Sequence, residues 1–252
     1  MSLVNEMNRP VNEEAYGNST ILNNLACVLL QSGAYREAFE TFRDAVDTLQ
    51  SSARAPDDPS SDSGRGKIML ALRTFRATER LYHNPDDVSV VGFEDGSMGN
   101  LIFETAFGES MHVFVTLRPP SEGQRDSDVD SAIMLHNFAL CHLALSRRGL
   151  LQETEAHKSA LYIFRVAFRL LFQKLEELID PEGYVLDCET PNFENFCGVV
   201  TVVLANLVYT LNHQGFERAA RDGYLKLREF LQNFVQSDGA SILGRVSAAA
   251  AA

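Results

Sequence analysis

Six histidines, four cysteines and three similarly placed asparagines are the side chains of this 252-residue sequence with chemistry to offer. His136 and His142 stand six apart, off the i, i+4 spacing that would set two ligands on one helix face. Cys27, Cys141, Cys188 and Cys197 show no paired metal-ligand spacing. The first two fall in helical stretches, where cysteine is a small apolar filler. Cys188 and Cys197 flank a loop, and a reducing compartment argues against joining them. The acids Glu176, Glu177 and Asp180 follow no Glu-x-x-His pattern, and no serine sits in a nucleophile elbow. No GxGxxG or P-loop sequence is present. The expectation is therefore no enzyme, no metal site, no cofactor and no small-molecule substrate. Asn24, Asn137 and Asn206 each precede the second apolar residue of a similar run, and an amide both donates and accepts.

The elements that must position these amides are helices. Leu22, Leu25, Ala26 and Leu29 recur at spacings of three and four, which puts them on one helical face. Ser19 is the expected N-cap, and Gly33 the expected C-cap, where a left-handed conformation suits glycine. Ala38, Phe42 and Ala45 form the stripe of a second helix, with Ala38 admitting a close helix approach. Neither helix can bury its stripe alone, so the unit needs neighbours.

This stretch resembles the tetratricopeptide repeat, a unit of about 34 residues. Leu22, Leu25-Ala26, Leu29, Gly33, Tyr35, Ala38, Phe42 and Ala45 stand in the family's order and spacing. The frame recurs at Leu135, Asn137-Phe138-Ala139, Ala160, Phe164 and Ala167, with extra residues in the turn from Gly149 to His157. It recurs again at Leu204, Asn206-Leu207-Val208, Leu211, Gly215, Ala220, Tyr224 and Leu227. The copies are not contiguous, unlike the family's regular tandem spacing. The resemblance implies a mainly α fold, an α-α superhelix of three helical hairpins over about 19–50, 128–178 and 199–234. It also implies that Asn24, Asn137 and Asn206 face a concave groove and grip the backbone of a peptide, or else bond a neighbouring helix to hold register. Asn23, His136 and Tyr209 join them on the groove side, with Cys27, Leu140 and Ala205. No Lys or Arg is among these neighbours, so the basic clamp by which chaperone-binding repeats hold a C-terminal carboxylate is not expected.

The rest of the chain reads as one domain over 1–247 with a frayed alanine tail at 248–252. Residues 51–66 are rich in Ser, Asp, Pro and Gly and read as a disordered linker, while Lys67 to Tyr82 resumes a helical pattern. Val88–Phe93, Leu101–Phe107 and Met111–Leu117 are β-branched and aromatic, which predicts a β-hairpin or three-stranded flap over about 88–117. Ser159 to Leu178 is apolar on nearly all sides and predicts a central helix. A net charge of −12 disfavours nucleic acid and anionic membrane surfaces. No apolar run is read as reaching the roughly 20 residues needed to cross a bilayer, and no secretory signal opens the sequence. Asn18-Ser19-Thr20 is then a helix cap rather than a glycosylation site. Cytoplasm or nucleus is the expected compartment, and a protein or peptide the expected partner. Two functions fit: an adaptor binding a peptide or partner helix in the groove, or a structural or regulatory subunit with the β insertion making the specific contact.

Overall fold

Three glycines set the plan. Gly33, Gly149 and Gly215 have φ of 81°, 67° and 76°, a region costly for side chains with a Cβ. Each ends a helix by the same pair of backbone bonds. Gly33 N–H donates to Leu30 C=O (2.9 Å) and Ala34 N–H to Leu29 C=O (2.9 Å). Gly149 with Leu150, and Gly215 with Phe216, repeat that pattern onto Ser146, Leu145, Asn212 and Leu211. These are Schellman caps, which satisfy orphan carbonyls and reverse the chain.

A computed structural model describes residues 13–54, 89–92, 113–117, 127–178 and 193–237. Its six helices are α1 (Glu13–Gln31), α2 (Tyr35–Arg54), α3 (Ser127–Arg147), α4 (Glu153–Leu178), α5 (Phe193–His213) and α6 (Glu217–Ser237). The fold is mainly helical and built of packed helix pairs, α1 with α2, α3 with α4 and α5 with α6. Each pair also packs on the next, through α2 against α3 and α4 against α5. Small residues line the contacts: Ala26, Ala38, Ala139, Ala160 and Ala167 are fully buried.

Two short strands complete the described chain, β1 (Ser89–Gly92) and β2 (Val113–Thr116). They pair in parallel, with Ser89 opposite Val113 and Gly92 opposite Thr116. Arms of a hairpin run antiparallel, so β1 and β2 are not the two arms of the expected hairpin; a hairpin or flap through Leu101–Phe107 falls on residues outside those described. Leu101–Phe107, Lys67–Tyr82, residues 55–66, Cys188 and the 248–252 tail lie outside the described residues.

Five further expectations change. Ser19 is no cap: α1 begins at Glu13, and the buried Ser19 hydroxyl donates to Ala15 C=O (2.9 Å) inside the helix. The turn of the second pair closes by Gln152, so Thr154 to His157 are helical. The linker starts later than 51, because α2 runs on to Arg54. The central helix is α3 rather than α4. It is buried almost continuously from Val129 to Leu145, whereas α4 turns Tyr162, Arg165, Arg169 and Phe172 to solvent. One apolar run does reach spanning length: Asn195–His213 of α5 has mean hydropathy 1.5, and 72% of it is buried inside the protein. Core helices pass the same test.

Candidate functional site

Helices α1 and α3 both pack on β2, and they hold it with side chains. A strand presents N–H and C=O of every second residue on the same edge. Val113, Val115 and Leu117 turn theirs towards the helices, leaving Phe114 and Thr116 to face β1. Asn137 meets Val115 at both groups: Oδ1 accepts its N–H at 2.9 Å and Nδ2 donates to its C=O at 2.7 Å. Asn24 grips Leu117 in the same way, Oδ1 accepting the N–H at 2.8 Å and Nδ2 donating to the C=O. His136 Nε2 lies 3.2 Å from Val113 C=O. A carbonyl only accepts, so the proton of this ring sits on Nε2.

Asn23 ties the grips together. Its Nδ2 donates to Val115 C=O at 3.2 Å and to Asn24 Oδ1 at 3.2 Å, while its Oδ1 accepts from Asn137 Nδ2 at 2.9 Å. Two helices thereby replace a third strand: each amide reproduces the donor and acceptor that a strand edge would offer. Asn23 and Asn137 are fully buried, and a buried amide without partners is costly. The strand's side chains fill the space on either side. Val113, Val115 and Leu117 enter one apolar cluster with Ile133, Met134 and Val199. Phe114 enters the other, stacked on Phe42 with centroids 6.0 Å apart.

Of the residues expected on the groove side, Asn23, Asn24, Asn137 and His136 thus converge on β2. Asn206 lies elsewhere, its Nδ2 donating to Val202 C=O (3.0 Å) one turn back in α5. Tyr209 lies on the same helix, half-buried, with its ring 6.2 Å from that of His213. Burial sets the electrostatics. It holds His136 neutral, lowering its pKa to about 4 against the upward pull of the Val113 carbonyl. It pushes the Cys27 and Cys141 thiols well up, so they stay protonated and poorly nucleophilic. Next to Tyr16, whose hydroxyl donates to it, Asp130 is pushed up by burial to about 7.

A second polar group joins α4 to α5. Glu153, His157 and His213 bring one ligating atom each to within 4.8 Å of one another. The two imidazoles stack, with centroids 3.8 Å apart and planes 21° from parallel. His213 Nε2 is 3.2 Å from Glu153 Oε1. Sequence spacing missed this group, because only Glu153 and His157 are a helical turn apart and His213 arrives from another helix. No family model, no curated protein and no solved structure matches the chain.

Proposed function

We propose that this chain is a protein-interaction scaffold of three tetratricopeptide-like hairpins whose groove is filled in cis by its own β insertion. The observation that carries this is the two-point grip of Asn137 on Val115 and of Asn24 on Leu117. Such a grip reads backbone and not side-chain identity, which is what a groove for extended peptides requires. Here the chain's own strand takes those bonds. That favours a structural or regulatory subunit, which meets its partner on outward surfaces, over an adaptor that offers an open groove. Neither catalysis nor a nucleic-acid partner enters this reading, given the acidic charge and protonated thiols.

Affinity capture from native extract tests it, with the full chain and an Asn24→Ala/Asn137→Ala variant held below both melting temperatures. The cis-filled scaffold captures the same partners with both forms, and the variant melts earlier. Loss of capture with unchanged melting would transfer the partner to the groove. No partner with either form would remove the scaffold reading.

A further inference from the structure

We infer that Glu153, His157 and His213 form a site for one divalent transition-metal ion, zinc being the probe of choice, that fastens the second helix pair to the third. Two imidazoles and one carboxylate are the donor set of open zinc sites, and the nitrogen donors select against calcium and magnesium, which take oxygen. The placement is independent of the groove. Glu153 opens α4, His157 lies one turn further on, and His213 closes α5.

A second observation points to a ligand. His157 is 7% exposed, and its Nδ1 is shut from solvent without a hydrogen-bond partner among the described residues. Burial of that kind is costly for a polar nitrogen unless something bonds it. The other two donors are free to move onto it, the side chains of Glu153 and His213 being 68% and 36% exposed. Donors about 2.1 Å from a tetrahedral ion stand roughly 3.4 Å apart. The Glu153–His213 separation of 3.2 Å already meets this. The remaining pairs, within 4.8 Å, need a small closure.

Coordination carries a geometric consequence. A metal lies in the plane of each ring that binds it, so rings now stacked 21° from parallel must tilt apart. Zinc binding is therefore accompanied by a tilt of the exposed His213 ring away from the buried His157 ring.

The test is zinc titration of the full, metal-free, reduced chain by calorimetry, with histidine ring NMR and thermal melting on the same samples. Saturable binding of one ion is expected, with both ring resonances shifting and Tm rising by about 5–10 °C at roughly 100 times Kd. Glu153→Gln and His213→Ala change exposed side chains and leave the fold intact, and each should weaken zinc at least tenfold. Glu155→Gln, a neighbouring exposed acid, should not. Absence of saturable binding, or affinity undiminished in either of the first two variants, overturns the assignment.

Discussion

Replacing Asn137 by Ala should be among the most damaging single changes to this fold, and its cost can be worked from the bonds it makes. The amide accepts from Val115 N–H and donates to Val115 C=O and to Asn23 Oδ1. After truncation Val115 C=O keeps a donor in Asn23, at 3.2 Å. Val115 N–H and Asn23 Oδ1 lose theirs. The removed side chain is fully buried, so water does not take its place without a cavity opening. Each stranded group costs about 1–3 kcal/mol, hence about 2–6 kcal/mol in all. Against a usual stability of about 5–15 kcal/mol, that is a large part of the total.

The comparison with Asn24 sharpens the test. Asn24 also makes two bonds to the strand, but it is only half-buried, so water can satisfy what Asn24→Ala strands. Two bonds at about 0.5–1.5 kcal/mol each give about 1–3 kcal/mol. Urea unfolding of both variants measures the difference. Amide hydrogen exchange at Val115 and Leu117 locates it: Asn137→Ala should speed exchange at Val115 first, and Asn24→Ala at Leu117 first. Wild-type exchange at Val115 in Asn137→Ala would refute the idea that the amide holds the strand.

Phe114→Ala should cost about 3–5 kcal/mol in the same unfolding assay, since the ring is fully buried and stacked on Phe42. Ala38→Leu and Ala160→Leu should each cost about 1–3 kcal/mol, because both alanines are fully buried where helices meet; unchanged melting would move those crossings elsewhere. Stability should also depend on pH. Burial lowers His136 and His142 to about 4, so their contributions are complete above the unfolded value near 6.5 and lost as pH falls towards 4. Asp130, raised to about 7, acts oppositely: its contribution is complete below 3.8 and lost as pH rises towards 7. Between pH 4 and 6.5 these three groups take up about two protons and release about one on unfolding, contributing a slope near 1.4 kcal/mol per pH unit. Asp130→Asn should raise the slope by about 1.4 kcal/mol per pH unit in urea titrations across the range, and an unchanged slope would show that Asp130 does not titrate as its burial implies.

The helix pairs were legible because their signals are local. Leucine and alanine at helical spacing, closed by Gly33, Gly149 and Gly215, specify where chains turn, and each of these glycines does take positive φ. What escaped the sequence is set by contacts between distant segments. Ser19 looks like a cap on paper, yet the helix runs through it because its hydroxyl finds Ala15 C=O. Counting apolar residues made α4 the central helix, but Tyr162 and Phe172 face solvent. Meanwhile α3 buries Ser131, His136 and Asn137: the helix's own carbonyl takes the Ser131 hydroxyl and the strand takes Asn137 and Nε2 of His136, while His136 Nδ1 has no partner among the described residues. Strand direction is equally non-local: turn residues between apolar runs announce a hairpin, and nothing in those runs reports that β1 and β2 pair in parallel. The shared position of the three asparagines was visible, and their roles were not. Asn24 and Asn137 meet a strand, while Asn206 bonds its own helix.

In the proposed scaffold, an occupied groove changes what a partner must do to enter it. Burial of Val113, Phe114, Val115 and Leu117 is worth about 1.5–3 kcal/mol for each side chain, and an incoming peptide has to replace all four. It also competes with a segment that is covalently attached. A tethered ligand acts at an effective concentration in the millimolar range when its linkers are short. A free peptide that binds equally well must therefore exceed that concentration merely to share the site. The amides cannot shift this balance, because they bond backbone atoms that every extended segment, bar one with proline at a bonded position, offers alike. Discrimination falls to the pockets that take Phe114 on one side of the strand and Val113, Val115 and Leu117 on the other. The more closely those pockets fit the chain's own residues, the more firmly the proposed groove is committed to internal support, and the more a partner of the proposed scaffold must find its contact on surfaces the strand leaves free.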